Sequence, residues 1–236
     1  MLSCAVKQVV QKCANALGYR VERLRSSVTH IDVLTLAVEL VLARQKCLFF
    51  VQIGANDGVT GDPIRHLILK HRLPGILVEP QPAAFRRLVE NYSEQPQLRF
   101  ENMAIGCHNG IMTMYTPAAH LQKDYLASFD RNTVAKHLHN KEAILTLEVE
   151  TCTVDSLLAK HRVEHVDLLQ VDTEGFDCSI VEMVDLKKLR PSIIAFEHIH
   201  VTTNAYNACI ERLQNHEYQV LPRGFDTICI KSELLN

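Results

Sequence analysis

The chain lacks the charge imbalance, the linkers and the repeats that would assign it to several classes of protein. Its 25 Lys and Arg residues nearly balance 27 Asp and Glu residues, and the net charge of −2 gives no electrostatic reason to expect a nucleic acid partner. No Ser/Gly/Pro-rich linker or low-complexity stretch divides the 236 residues, and no internal repeat is present. The composition, which is 47% hydrophobic, therefore predicts one soluble globular domain with an N-terminal extension.

The chain also lacks closely paired cysteines and the pattern of a secretory leader. No CxxC pair occurs, which argues against a zinc knuckle or a redox dithiol. The N-terminus, MLSCAVKQVVQKC, has no long uninterrupted apolar stretch of the kind found in signal peptides. We therefore expect a reducing, cytoplasmic location for the scattered cysteines, which are Cys4, Cys13, Cys47, Cys107, Cys152, Cys178, Cys209 and Cys229.

Apolar residues near the N-terminus repeat at helical spacing and predict two amphipathic helices. The repeating residues are Val6, Val9, Val10 and Cys13 in the first helix and Ile31, Leu34, Val38 and Leu42 in the second. Because neither helix has a basic polar face, we expect the helices to cover the sheet rather than to bind a membrane, and a dimer contact is the alternative. The predicted organisation is a helical extension over residues 1–46 and one domain over residues 47–236.

Apolar runs and amphipathic stretches alternate along the rest of the chain. This alternation predicts an α/β fold: a mostly parallel, Rossmann-like sheet with helices on both faces and a C-terminal antiparallel hairpin. Residues 111–153 form a predicted insertion, in which two strands enclose a polar segment expected to set substrate specificity. The other predicted strands are 75–79, 98–105, 166–171, 192–197, 217–221 and 226–230, and the predicted helices are 62–72, 82–93, 154–160, 177–188 and 203–215.

The run FFVQIGANDG, from Phe49 to Gly58, is an apolar strand that breaks into a glycine-containing turn ahead of an amphipathic stretch. Gly54 and Gly58 permit a sharp bend and a close approach to a ligand. In a doubly wound sheet such a turn lies at the carboxyl end of the first strand, where adenosine-containing cofactors bind. The spacing is GxxxG rather than GxGxxG, so a plain strand-to-helix connection is the alternative. Asp62, just before Pro63, is expected to cap the following helix.

Acidic residues end other predicted strands, at the edge where ligands bind in such sheets. Glu79 is expected to accept hydrogen bonds from the hydroxyls of a ribose, and a helix cap is the alternative. Asp172 is a strand-end carboxylate in the predicted cleft, which rarely serves packing. For Glu174 and Asp177, the alternative interpretation is a favourable interaction with the dipole of the following helix. Glu197 ends the next predicted strand and is expected to face the site.

The histidines after Glu197 supply a candidate general base. A histidine has an ordinary pKa of about 6.5, which suits proton removal near neutral pH. His198 and His200 are the candidates, and the alternative for His198 is a partly buried ring with backbone partners. The pattern EHIH with distant acids is a weak indication of metal ligands, so we expect no metal ion.

Six short motifs occur in order along the chain, namely IGANDG, LVEPQP, NMAIG, SF, LLQVDTEGFD and FEHIH. Together they resemble the FkbM family of S-adenosylmethionine-dependent methyltransferases over roughly residues 48–231. The resemblance implies a class I methyltransferase fold and S-adenosylmethionine as the cofactor, and the catalytic candidates are Asp172, Glu197 and His198. The cofactor-binding residues that it implies are Gly54, Ala55, Asn56, Asp57, Gly58, Glu79, Pro80, Met103, Ala104, Ser128 and Asp172.

The resemblance also implies a role for each group of these residues. The turn that begins at Gly54 would hold the methionine and ribose parts of the donor, with the amino-acid end near Asn56 and Asp57. Glu79 would bind the ribose hydroxyls, and Met103 with its neighbour would contact the adenine edge. The SF motif would cover the donor.

The implied function is transfer of a methyl group to a hydroxyl of a small-molecule or carbohydrate acceptor, with no nucleic acid or membrane partner and a possible homodimer. Tyr125 is expected to stack on a substrate ring. Gln52 departs from the pattern, because many methyltransferases of this fold have an acid there for the donor's amino group, and Asp172 is the candidate to supply that charge. The alternatives are a nucleotide-dependent oxidoreductase, against which the missing third glycine argues, and an inactive cofactor-binding protein, for which Gln52 is the hint.

Overall fold

The computed structural model describes residues 32–118, 126–136, 138 and 144–235. The strands are β1 (Phe50–Ile53), β2 (Gly75–Val78), β3 (Leu98–Glu101), β4 (Ala104–Ile105), β5 (Gly110–Pro117), β6 (Ile144–Cys152), β7 (Leu168–Val171), β8 (Ile193–Glu197), β9 (Tyr218–Arg223) and β10 (Asp226–Lys231). The helices are α1 (Val33–Arg44), α2 (Arg65–His71), α3 (Pro82–Asn91), α4 (Arg131–Lys136), α5 (Val154–His161), α6 (Asp177–Met183) and α7 (Thr203–Asn215), and Ser232–Leu234 is a 3-10 turn.

The main sheet has the strand order β3-β2-β1-β7-β8-β10-β9. Neighbouring strands from β3 to β8 are parallel, whereas β10 runs antiparallel to both β8 and β9. The chain builds outward from β1 on one side and then crosses to β7 on the other, so the strand order reverses between β1 and β7. Ligands bind at the carboxyl ends of the strands at such a reversal. The predicted α/β sheet with a C-terminal antiparallel hairpin is confirmed.

Helices cover both faces of this sheet, which explains why every residue of β1, β2 and β7 is buried. Side chains alternate along each strand, so each face has its own apolar core. One core contains Val51, Ile76, Leu169 and Ile194 with Val181 of α6 and Leu213 of α7. The other contains Phe50, Leu77 and Leu168 with Val38 of α1, Ile68 of α2 and Leu88 of α3.

Helix α1 corresponds to the second predicted N-terminal helix and contacts β8 and β10 on one face of the sheet. Its buried residues are Leu34, Ala37, Val38 and Val41. The predicted boundary between residues 46 and 47 falls shortly after this helix. The first predicted helix lies outside the described residues. Among the described residues, no helix combines the length and the apolar content that crossing a bilayer requires.

The strand predicted over residues 98–105 is wrong in one respect, because the structure divides it between two sheets. Strand β3 ends at Glu101, and β4 joins β5 and β6 in a separate sheet with the order β4-β6-β5. The last backbone bond between these strands runs from Glu79 N to Glu101 O, at 3.0 Å. The Asn102 side chain instead donates to the carbonyls of Glu79 and Pro80, at 2.8 and 3.1 Å.

The helix predicted over residues 177–188 is also shorter in the structure. Helix α6 ends at Met183, because Val184 adopts an extended conformation with φ −72° and ψ 126°. The Asp185 carboxylate then accepts hydrogen bonds from the Lys187 and Lys188 backbone N–H groups, at 3.0 and 3.1 Å, and forms a separate turn. The two strands of the insertion form as predicted, and β5 and β6 pair antiparallel over residues 110–117 and 144–151.

Candidate active site

A cavity of about 290 Å³ lies at the carboxyl edge of the main sheet, where the strand order reverses between β1 and β7. Pockets of this size bind small molecules in proteins. The predicted cofactor residues that line it are Gly54, Ala55, Asn56, Glu79, Pro80, Met103, Ala104 and Asp172. The predicted residues that do not line it are Asp57, Gly58, Ser128, Glu197 and His198.

The glycine turn is closely packed against the neighbouring strand ends. Gly54 has φ +82°, and a Cβ atom on it would lie 1.7 Å from the carbonyl oxygen of Asp172. Its N–H group donates to Val78 O at 2.9 Å, and Asp172 N donates to Ile53 O at 2.9 Å. Only glycine fits this position, because a side chain would separate the turns that follow β1 and β7.

Two predicted residues of the same turn serve its own structure. Gly58 has φ +69°, and a Cβ atom there would lie 2.5 Å from the Tyr92 ring, so this glycine allows packing on α3. The Asp57 carboxylate accepts hydrogen bonds from the backbone N–H groups of Val59 and Thr60, at 2.9 and 2.7 Å. Their contacts are therefore with the turn and α3, and a role for either residue in binding a cofactor stays a prediction.

Glu79 joins the glycine turn to the turn that follows β2. Only 4% of the surface of Glu79 is exposed. Its Oε2 accepts a hydrogen bond from Asn56 N at 2.9 Å, and its Oε1 accepts one from Gln81 N at 2.8 Å. Burial raises the pKa of Glu79 to about 7, despite these two hydrogen bonds. Each carboxylate oxygen has a second lone pair, so Glu79 can accept further hydrogen bonds from a ligand in the cavity.

Two buried glutamines line the cavity with amide oxygens that lack a hydrogen-bond partner among the described residues. Gln52 and Gln170 lie directly opposite each other on β1 and β7, so their side chains share one face of the sheet. They are 3% and 4% exposed. Gln52 Nε2 donates to Asp62 Oδ1 at 3.2 Å, which directs the nitrogen of this amide toward Asp62. The two orphaned oxygens indicate that the cavity binds a ligand with hydrogen-bond donors.

Asp62 lies in the cavity wall, and Ile64 rather than the predicted Asp62 occupies the N-cap position of α2. Its Oδ1 accepts hydrogen bonds from Ile64 N and Arg65 N at the start of α2, at 2.9 and 3.0 Å. Its Oδ2 accepts a hydrogen bond from the Tyr92 hydroxyl at 3.2 Å. Burial raises the pKa of Asp62 in spite of these bonds. The sequence pointed to the cap, and the contact with Gln52 was not predicted.

Carboxyl groups converge beside the cavity and raise one another's pKa values. Burial first, and then repulsion from Asp177, Asp226 and Asp62, raises the pKa of Asp172 to about 7. Burial and repulsion from Asp172 and Asp177 likewise raise the pKa of Glu174 to about 7. For Glu197, burial and repulsion led by Asp172 and Glu174 raise the pKa to about 9. Such a site favours a positively charged group in a ligand.

The structure brings His200, rather than His198, into contact with these acids. His200 Nε2 lies 3.1 Å from Glu174 Oε2 and 3.9 Å from Glu197 Oε2. Among the described residues, these three side chains form the one group that could hold a metal ion. Each offers one ligand atom, and the three ligand atoms lie within 4.8 Å of one another. The sequence could not show which of the two histidines contacts the acids, because no periodic pattern of residues specifies the direction of the loop after β8.

His198 contacts the C-terminal hairpin. Its Nδ1 lies 2.9 Å from Thr227 Oγ1, which in turn lies 3.0 Å from the Tyr206 hydroxyl. Its ring centroid is 5.0 Å from that of Tyr206, and its backbone N–H donates to Phe225 O at 2.8 Å. These contacts agree with the alternative of a packed ring, although its side-chain partner is a hydroxyl rather than the backbone. A catalytic role for His198 stays a prediction.

The SF motif holds the insertion against the turn that follows β7. Ser128 Oγ donates to Glu174 O at 2.8 Å, and the Ser128 backbone exchanges two hydrogen bonds with Tyr115, at 2.8 and 3.0 Å. Phe129 lines the cavity and packs edge-on against Phe176, with 5.7 Å between ring centroids. Ser128 therefore positions Phe129 at the cavity wall. Tyr125 lies outside the described residues.

Comparisons with known proteins agree with this fold. The family model for the methyltransferase FkbM domain matches residues 52–220. No curated protein sequence matches the chain. A crystal structure of methyltransferase FkbM from Methylobacillus flagellatus KT has a TM-score of 0.51 and 12% sequence identity, and the match covers 78% of this chain and 43% of that chain. The present chain thus spans less than half the length of that relative.

Two other solved structures show weaker similarity. Precorrin-6y C5,15-methyltransferase from Geobacter metallireducens GS-15 has a TM-score of 0.42 and 11% identity, over 89% of this chain and 91% of that chain. The fibrillarin pre-rRNA processing protein of Methanococcus jannaschii has a TM-score of 0.43 and 12% identity, over 79% of this chain and 67% of that chain.

The likeness to the Methylobacillus flagellatus structure concerns the fold, and it confirms the predicted class I methyltransferase fold. The family model spans most of the chain, from β1 to β9, and includes every strand end that borders the cavity. The chain therefore belongs to the FkbM family of methyltransferases.

Proposed function

We propose that this methyltransferase uses S-adenosylmethionine and methylates a hydroxyl of a small-molecule or carbohydrate acceptor. The observation that carries the proposal is the set of hydrogen-bond acceptors in the cavity wall, where Glu79 lies after β2 and the orphaned oxygens of Gln52 and Gln170 lie on β1 and β7. A matching ligand presents hydroxyls to Glu79 and N–H donors to the glutamines. S-Adenosylmethionine has both, in its ribose and its ammonium group.

The remaining cavity residues fit the other parts of this donor. Met103 and Ala104 lie at the start of β4, beyond the Pro80 turn, and offer an apolar surface for an adenine ring. The backbone from Gly54 to Asn56 also lines the cavity and would hold the chain that links ribose to the amino acid. The acids around Asp172 favour the positive charge of the sulfonium and ammonium groups.

When bound, S-adenosylmethionine supplies a methyl group that the acceptor oxygen takes as its proton leaves, and the sulfonium becomes a neutral thioether. Asp172 is the residue that we assign to receive this proton. Its carboxyl lines the cavity, and its pKa of about 7 lets it accept a proton near neutral pH. Glu197 lies on the same sheet face as Asp172, and its pKa of about 9 keeps its carboxyl protonated near neutral pH, so a catalytic role for Glu197 stays a prediction.

The acceptor, the location and the partners are part of the same proposal. A small-molecule acceptor would reach Asp172 from the side of Glu174 and Phe129, where the insertion borders the cavity. We propose a cytoplasmic protein without a membrane or nucleic acid partner, in line with the nearly balanced charge of the sequence.

The experiment that tests this proposal uses S-adenosylmethionine with an isotopically labelled methyl group. The protein is incubated with pairs of acceptors that differ only in one group, a hydroxyl, an amine or a methyl ether, on the same sugar or phenol. We expect label in the hydroxyl compounds, detected by mass spectrometry, and none in the methyl ethers. Label that enters only amines or added RNA would contradict hydroxyl methylation, and tight donor binding without any transfer would favour an inactive cofactor-binding protein.

A further inference from the structure

Two turns of the active site place two carboxylates and an imidazole around one small volume. Glu174 lies in the turn between β7 and α6, Glu197 ends β8, and His200 lies in the turn after β8. His200 Nε2 is 3.1 Å from Glu174 Oε2 and 3.9 Å from Glu197 Oε2, and the three ligand atoms lie within 4.8 Å of one another. Oxygen and imidazole nitrogen atoms in this arrangement are a ligand set for a divalent metal ion.

One of these atoms lacks a partner that a buried oxygen requires. Glu197 Oε2 is buried and has no hydrogen-bond partner among the described residues. Its distance of 3.9 Å from His200 Nε2 is too long for a hydrogen bond. A buried carboxylate oxygen without a donor is unfavourable, and coordination of a cation removes that penalty. The orphaned oxygen therefore points to a positively charged ligand at this place.

The backbone around these ligands is held in position. Gly175, next to Glu174, has φ +109°, and a Cβ atom there would lie 3.3 Å from the Cβ of His200, so the two turns meet closely. Asp177 accepts hydrogen bonds from Thr173 N and Gly175 N, each at 3.0 Å, on either side of Glu174. The carbonyl of Glu174 itself accepts the hydrogen bond from Ser128. Glu174 and His200 are thus preorganised to face each other.

We propose that Glu174, Glu197 and His200 bind a divalent cation of the Mn²⁺ type at the edge of the methyl-donor cavity. Neighbouring ligand atoms around such an ion are separated by about 3 Å, because each lies about 2.1 Å from the metal. The pair of Glu174 and His200 already has this spacing, and Glu197 Oε2 lies about 1 Å beyond it from His200 Nε2. Carboxylates with one imidazole suit Mn²⁺ better than a soft ion.

The cation would also define the acceptor more closely, and this part rests on the proposed function. Three protein ligands leave about three positions of an octahedral ion open. The side chains of Glu174, Glu197 and His200 are 19%, 17% and 13% exposed, and Glu174 also lines the donor cavity. An acceptor with two adjacent oxygen atoms, such as a vicinal diol, would fill two of these positions beside the donor.

The test is a titration of the chelator-treated protein with MnCl₂, followed by electron paramagnetic resonance of the free ion. Wild type is compared with Glu197→Gln and His200→Ala. The matched control is Glu39→Gln, because Glu39 also contacts a histidine, at 2.9 Å from His71 Nε2, but lies away from the cavity. Circular dichroism and binding of S-adenosylhomocysteine confirm that each variant is folded.

We expect one Mn²⁺ site in the wild type and in Glu39→Gln, and affinity at least about tenfold lower in the two site variants. Absence of Mn²⁺ binding by a protein that binds S-adenosylhomocysteine would overturn the metal site and leave the proposed function standing. Equal affinity in all four proteins would overturn it as well. A third outcome is Mn²⁺ binding that depends on Glu197 and His200, without any binding of S-adenosylhomocysteine. This outcome would support the metal site and contradict the proposed methyl donor.

Discussion

Replacing Asp172 with asparagine should make the protein more stable and, at the same time, inactive. Asparagine has nearly the same shape as aspartate but carries no charge and cannot take up a proton at neutral pH. The pKa of Asp172 is about 7 rather than the ordinary 3.8, because the carboxyl is buried near other acids. The ionised form is therefore unfavourable in the folded protein, and Asp172→Asn removes this cost.

The magnitude follows from the difference between the folded and unfolded pKa values. Each pH unit of difference corresponds to about 1.4 kcal/mol, so a pKa of about 7 instead of 3.8 gives up to about 4 kcal/mol. The folded state binds the proton more tightly, so the contribution of Asp172 to wild-type stability is fully present below pH 3.8 and is lost as the pH rises through about 7. For a chain of this length, up to about 4 kcal/mol corresponds to roughly 10 °C in Tm.

The assay is thermal unfolding of wild type and Asp172→Asn at about pH 5 and about pH 8. The variant should melt at a higher temperature at the higher pH, and the gap should be less than half as large at the lower pH, where the folded wild-type carboxyl is already protonated and only the unfolded one is ionised. Asp155→Asn, at an exposed position of α5, serves as the control and should show no such gap. A variant that is less stable than the wild type at the higher pH, or one that retains full turnover, would refute the reasoning.

Three further predictions concern the donor cavity. Glu79→Gln should weaken binding of S-adenosylhomocysteine by about 1 to 3 kcal/mol in a calorimetric titration, and unchanged affinity would remove Glu79 from the site. Gln52→Leu and Gln170→Leu should each weaken it about tenfold or more, but should leave the binding of an analogue with a hydrogen atom in place of the amino group unaffected. Equal losses for both ligands would contradict an ammonium contact. Gly54→Ala should prevent stable folding, because its Cβ would lie 1.7 Å from a carbonyl oxygen. The control is Gly61→Ala, where φ is +71° but no atom lies within 4 Å of the added Cβ. Its free energy of unfolding, measured by thermal unfolding, should fall by only about 1 to 2 kcal/mol.

Strand ends were predictable from the sequence because apolar runs stop there and polar residues begin. Glu79 and Asp172 follow such runs, and parallel strands bring their carboxyl ends to one edge, so both residues line the same cavity. Gly54 was likewise recognisable as the residue at which β1 must turn. The order of motifs along the chain then indicated the family that the family model confirms.

Other features depend on the pairing of strands and could not be derived from the chain alone. Gln170 pairs with Gln52 only because β7 lies next to β1 in one particular register, and a shift by one residue would turn it to the opposite face. The contact of His200 with Glu174 depends on two loops whose direction no periodicity specifies. At the division of the strand predicted over residues 98–105, the Asn102 side chain donates to carbonyls on a different strand end, those of Glu79 and Pro80.

The measurement that tests the central claim most directly is a calorimetric titration of the purified protein with S-adenosylhomocysteine, with NAD and NADP as controls. We predict micromolar binding of S-adenosylhomocysteine, which corresponds to about −8 kcal/mol, and no binding of either dinucleotide. Binding of NAD or NADP alone, or of none of the three compounds, would contradict the account of this cavity as a site for the sulfonium donor.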